Sequence, residues 1–148
     1  MNLKALLLVR DMEKKREDQA AVSLQQARQQ HDLQHRRLQG LEQYRLEYLN
    51  SAQERGKGGL QSMRFGHYHA FVGKLDTGIQ QQRGNLQRLQ QVVEQRQKLW
   101  MEKQQRRKAI DNLIEKHEKE IDVKRQKQEQ KTSDEYAMQG FMRRRRSI

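Results

Sequence analysis

Apolar residues recur along most of this chain in alternating steps of four and three. The pattern is cleanest in the second half: Tyr68, Val72, Leu75, Ile79, Gln82, Leu86, Leu89, Val93, Arg96, Trp100, Lys103, Arg107, Ile110, Ile114, His117 and Ile121. Eleven of these sixteen positions are apolar and the spacing never slips, which is the signature of a helix that packs through one narrow stripe in a coiled coil. A less regular stripe runs through the first half at Ala20, Leu24, Ala27, His31, Gln34, Leu38, Leu41, Arg45, Tyr48 and Ala52, with Leu33, Tyr44 and Leu49 beside it. The pattern predicts one helix over about 2–53 and a second over about 63–140, roughly 75 and 115 Å long at 1.5 Å per residue.

Between them lies Glu54-Arg55-Gly56-Lys57-Gly58-Gly59, the strongest break in the sequence. So short a connection, expected over 54–62 with Ser62 as the cap of the second helix, folds the second helix back beside the first. The expected architecture is all-α: one domain over 1–148, a long antiparallel two-helix coiled-coil hairpin whose second helix overhangs the first. Counted outward from the loop, Leu3 meets the region of Ile110 to Ile114. Everything past about His117 stands alone and ends in a basic tail over 141–148. Beyond Ile121 the stripe turns polar at Lys124, Gln128 and Lys131. A helix polar all round has no face to bury, so the overhang is expected to be held by a partner.

Composition supports helices over both a globule and disorder. The chain is 33% hydrophobic and 34% charged, against roughly 45–50% and about 25% for a typical globular domain. It has no proline; disordered chains are usually rich in it, and it costs about 3 kcal/mol inside a helix. With no cysteine there is no thiol nucleophile and no disulfide framework. The longest apolar stretch, Leu6-Leu7-Leu8-Val9, is too short for a bilayer span or a signal-peptide core, so the chain is expected to be soluble and cytoplasmic. Gly66, Gly73, Gly78 and Gly84 weaken the start of the second helix; either the helices approach closely there or the tip frays, or that end of the hairpin is deformable or contacts a partner.

Candidate chemistry is sparse. There is no glycine-rich phosphate loop followed by Lys-Ser/Thr and no nucleophile elbow, and a two-helix rod offers no concave pocket. His31 and His35 share a helical face, but the neighbouring Asp32 does not; His67 and His69 do not share one, and His117-Glu118 has no second histidine behind it. Neither a metal, a cofactor nor an enzymatic activity is expected. Arg96, Lys103 and Arg107 interrupt the second stripe around Trp100, where their aliphatic stems can pack while their heads reach water. Tyr44, Tyr48, Tyr68 and Phe71, with Leu41 and Leu75, gather near the loop on facing arms and are expected to be partly exposed, as protein-binding clusters are. The net charge of +12 leaves nucleic acid, anionic lipid and acidic protein surfaces open as partners, and the run Arg143-Arg144-Arg145-Arg146 is a flag for nucleic acid or an anionic membrane, or only a solvated tail; phosphate binding would weaken steeply with salt.

The order and spacing of several short elements resemble the flagellar export protein FliJ family over nearly the whole chain. They are Leu41-x-x-Tyr44-x-x-x-Tyr48, the glycine loop leading to Phe71-x-x-x-Leu75, Leu99-Trp100-x-Glu102-Lys103, and Asp134-Glu135-Tyr136-Ala137. Gly78 and Gln82 depart from the family, where Ala and His would be expected. The resemblance implies a stalk similar to that of rotary ATPases, inserted by its two terminal ends into a hexameric ring of the export ATPase FliI. It further implies contact with the export gate FlhA and with export chaperones, at the cytoplasmic side of the inner membrane and only peripheral to it, with no nucleic acid. By position, Leu41, Tyr44, Tyr48, Phe71 and Leu75 match the gate-binding patch. Ring contact is expected on the basic overhang: Lys124, Arg125, Lys127, Lys131 and Arg143, Arg144, Arg145, Arg146. The equivalent stalk of a virulence secretion system would look the same from sequence.

Overall fold

A computed structural model describes residues 2–56 and 62–147. The glycines expected to form the connection, Gly58 and Gly59, lie outside the described residues, as does the side chain of Ser62, the expected cap. Two helices account for the fold: α1 over Leu3–Gly56 and α2 over Ser62–Arg146. Among the described residues there is no strand. The chain divides into two compact units. One joins Met1–Glu17 to Lys103–Ile148, and the other is Asp18–Glu102.

Both helices run further than the periodicity predicts. At its start α1 is capped by Asn2, whose side-chain oxygen accepts from the Ala5 amide at 2.8 Å, satisfying a donor that the first turn leaves open. It continues through Glu54 and Arg55 to Gly56, where a loop was expected. At the other end α2 carries on through Arg143–Arg146 instead of releasing a tail at 141. Arginine is a good helix former, and cations in the last turn are favoured by the partial negative charge of the helix C-terminus.

In the unit of Asp18–Glu102 the two helices run antiparallel, and the predicted stripes are the buried ones. Leu24, Ala27 and Val93 form one core cluster, flanked by Val92 and Trp100. Leu38, Ile79 and Leu86 form a second, flanked by Leu41. Ala27, only 3% exposed, is a small residue where the helices must come close. Polar stripe positions pair across the interface as well. Gln82 Nε2 donates to the Gln34 backbone oxygen at 3.0 Å and also to its side-chain oxygen. Arg96 Nη1 donates to the Ser23 carbonyl at 2.9 Å, so its head is engaged by α1 rather than simply turned to water. Removing the amide by Gln82→Ala should lower the stability of this unit by about 1 kcal/mol, whereas Gln82→Leu, which supplies apolar contact instead, should be close to neutral; chemical denaturation of both variants distinguishes a directional bond from filled space.

In the other unit the helices are again antiparallel, with Leu6 and Ile114 buried. Leu6 lies with Leu113, Lys116, His117 and Glu120 around one surface groove. This lies further along α2 than the pairing counted from the loop, in which Leu3 meets Ile110 to Ile114. The stripe of α1 also continues here through two acidic residues, Glu13 and Glu17, both buried. Glu17 accepts two hydrogen bonds from the half-buried Arg107, one of them from Nη2 at 3.3 Å. Arg107 in turn reaches Asp111 at 2.9 Å. Hydrogen bonds to Glu17 first, and then to Asp111, hold the Arg107 guanidinium protonated more firmly than an ordinary one. Glu13 accepts from Arg16 at 3.1 Å, and its second carboxylate oxygen is buried with no hydrogen-bond partner. Ile121 completes the predicted stripe but is exposed. From residue 121 to 147 every described residue is exposed except Gly140.

Candidate functional site

Tyr44, Tyr48, Tyr68 and Phe71 form one connected group in the unit of Asp18–Glu102. Tyr48 of α1 is its centre: it stacks on Tyr68 of α2 with ring centroids 5.5 Å apart and planes 13° from parallel, and meets Phe71 at 4.6 Å. Phe71 also takes Tyr44 edge-on at 6.2 Å. Offset and edge-to-face arrangements suit the quadrupoles of the rings. Helical spacing explains the grouping: Tyr44 and Tyr48 are one turn apart on α1, as are Tyr68 and Phe71 on α2.

The five predicted patch residues differ in exposure. Tyr44 is exposed, while Leu41, Tyr48, Phe71 and Leu75 are half-buried. Leu41 packs against Leu38, Ile79 and Leu86, so the patch grows directly out of the core. An ion pair from Arg45 to Asp76 closes one side; the hydrogen bond to Asp76, then its charge, holds Arg45 protonated above the ordinary range. A second pair, Arg83 to Glu42 at 3.1 Å, flanks it. Periodicity also points to a residue not included in the patch. Phe65, three residues before Tyr68 and therefore on its face, is exposed and takes His69 edge-on at 4.5 Å.

The predicted basic overhang is helical and exposed throughout. Its eight cations are not equivalent. Arg125 is tied to Asp122 at 2.8 Å and lies 3.8 Å from Glu129, pairs at helical spacing that support a lone helix. Lys124, Lys127, Lys131 and Arg143, Arg144, Arg145 and Arg146 have no carboxylate partner among the described residues. Four acidic residues, Asp122, Glu129, Asp134 and Glu135, and the apolar Met138, Phe141 and Met142 lie among them.

His31 and His35 stack with ring centroids 6.2 Å apart, and Asp32 approaches His31 at 3.6 Å. Among the described residues no group of three or more histidine or acidic side chains converges as a metal site. The hollows in the surface are open grooves along helix faces. No described helix is long and apolar enough to cross a membrane.

Two long helices, an aromatic patch fed by both and an exposed basic helix end define an all-α protein of the helical-hairpin class. More specifically, the chain belongs to the flagellar FliJ protein family, whose model matches residues 2–146. It is similar to the flagellar FliJ proteins of Escherichia coli (strain K12) and of Salmonella typhi. Each is 30% identical over 139 residues, covering 94% of this chain and 95% of the relative. No solved structure matches the chain.

Proposed function

We propose that this protein is a component of the flagellar protein export apparatus and serves there as a stalk: one end binds the export ATPase ring, the other meets the export gate, and export chaperones dock along it. Membership of the flagellar FliJ family supports the flagellar export role, and favours it over the equivalent stalk of a virulence system. The observation that carries the stalk reading is the inequality of the helices. α2 continues from Ile121 to Arg146 with no cover from α1, bearing seven cations that no carboxylate among the described residues pairs with. A helix end of this kind has no face covered by its own chain, which suits insertion into a partner. The chain supplies position, and the ATPase carries the chemistry.

The direct test is to add the purified protein to the cognate export ATPase. Hydrolysis and ring assembly should both rise, and unchanged rates with unchanged oligomers would overturn the stalk reading. Gate contact is assigned to Leu41, Tyr44, Tyr48, Phe71 and Leu75. Tyr44→Ala with Phe71→Ala removes exposed aromatic area while leaving Tyr48 on Tyr68. Gate affinity should fall at least about tenfold, the scale of a binding hot spot, with helicity unchanged by circular dichroism. Full binding by the double variant would remove the patch from the interface.

A further inference from the structure

Between Tyr136 and Ser147 the chain carries four arginines and no acidic residue. Three large side chains stand almost free in the same stretch: Tyr136 is 80% exposed, Met138 65% and Phe141 61%, with Met142 close behind. Met138, Phe141 and Met142 are spaced i, i+3, i+4 and share one face of the helix. The stretch is already helical through Arg146, and Ser147 closes it by donating to the Arg144 carbonyl at 3.0 Å, so its order does not wait for a partner.

The geometry of the arginines selects among partners. Successive residues of an α-helix are turned by about 100°, so Arg143, Arg144, Arg145 and Arg146 fan round the whole circumference. An open groove on a protein meets one side of a helix and would leave part of this ring of guanidiniums in water, although an encircling protein ring would not. A nucleic acid would engage the arginines but offers Met138, Phe141 and Met142 nothing apolar to enter. The surface of an anionic bilayer satisfies both demands. Its headgroups are fluid and can reach a guanidinium on any side, and guanidinium is the side chain best matched to phosphate. The boundary beneath the headgroups accepts the methionines and the phenylalanine, with a tyrosine suited to the interface itself.

We propose that residues 136–147 form a membrane-docking end that binds the surface of bilayers rich in anionic phospholipid. The inference does not rest on the ring reading, and its assay contains no ATPase. Where both hold, ring and bilayer compete for the same turns of α2.

The test is sedimentation of the full chain with vesicles of phosphatidylcholine alone, or with about a third of the lipid as phosphatidylglycerol, at about 0.15 M salt, where remote charges are screened. The chain should bind the anionic vesicles and not the neutral ones. R143Q/R144Q/R145Q/R146Q should lose about a hundredfold or more in partitioning, as expected for four cations at an anionic surface. A variant of equal net charge, R28Q/R36Q/R37Q/K98Q, altered far along the chain, should stay within about threefold of the parent. M138S/F141S/M142S, unchanged in charge, should lose at least about tenfold. Phe141→Trp should show a blue-shifted emission on anionic vesicles, which reports insertion even if the serine variant loses helicity. Equal losses from the two arginine-depleted variants would reduce the effect to general basicity and overturn the proposal. So would an unshifted Phe141→Trp emission, or no binding to anionic vesicles.

Discussion

Changing Gly66, Gly73, Gly78 and Gly84 together to alanine should stabilise the unit of Asp18–Glu102 by about 2–4 kcal/mol, since each glycine inside a helix costs about 0.5–1 kcal/mol relative to alanine. All four lie within α2. A methyl group added at any of them would meet nothing within 4 Å, so no steric term opposes the gain. The four sites are five or more residues apart and make no common contact, so their effects should add. The same observation removes one of the roles that sequence left open: the glycines are not there to let the helices approach, and what remains is a segment of α2 held below its attainable stability, next to the aromatic patch. Denaturant unfolding followed by circular dichroism measures the gain. A quadruple variant no more stable than the parent would mean that these positions carry a constraint other than helix propensity.

Most of the fold is legible in the sequence because a coiled-coil stripe is a local pattern with a global meaning. From Tyr68 to His117 every predicted stripe residue of α2 is shielded. Ile121 breaks the series for a reason one helix cannot reveal: burial belongs to a pair of helices, and α1 has no turn left to cover it. The aromatic patch was legible too, since Tyr44, Tyr48, Tyr68 and Phe71 fall at helical spacing on facing arms. Two features hide behind polar residues. Lys124, Gln128 and Lys131 interrupt the stripe of α2, yet the same steps of three and four reach Met138 and Met142 beyond them. On α1, counting back from Ala20 gives Glu17, Glu13, Arg10 and Leu6; two carboxylates in succession resemble a solvated face, though the structure buries both. Charge masks a stripe whenever the opposing helix supplies the counter-charge, and that is a non-local fact.

Arg107 is that counter-charge, and its replacement by methionine should destabilise the unit containing it more than any change on an exposed face of the same unit. Methionine keeps much of the stem's packing and removes both hydrogen bonds to Glu17. Glu17, only 5% exposed, is then left to Lys14, 3.9 Å away. Glu13, the neighbouring stripe residue, is buried with one oxygen already unpartnered. Stranding a buried charge is far more damaging than losing the attraction of a pair, because the desolvation already incurred is no longer offset; a fall of roughly 5–10 °C in Tm is expected. Since Glu17 and Asp111 hold Arg107 protonated beyond the ordinary guanidinium range, loss of the Arg107 charge as pH rises should be confined to strong alkali. Replacing Glu13, Glu17 and Arg107 together by leucine should restore the Tm or raise it, as an apolar stripe needs no counter-charge. The all-leucine stripe should also be less selective about its neighbour, since polar stripe residues fix pairing and register, and sedimentation should then show more self-association than the parent under the same conditions. A triple variant as unstable as Arg107→Met would show that the ion pair contributes net stability as well as selectivity.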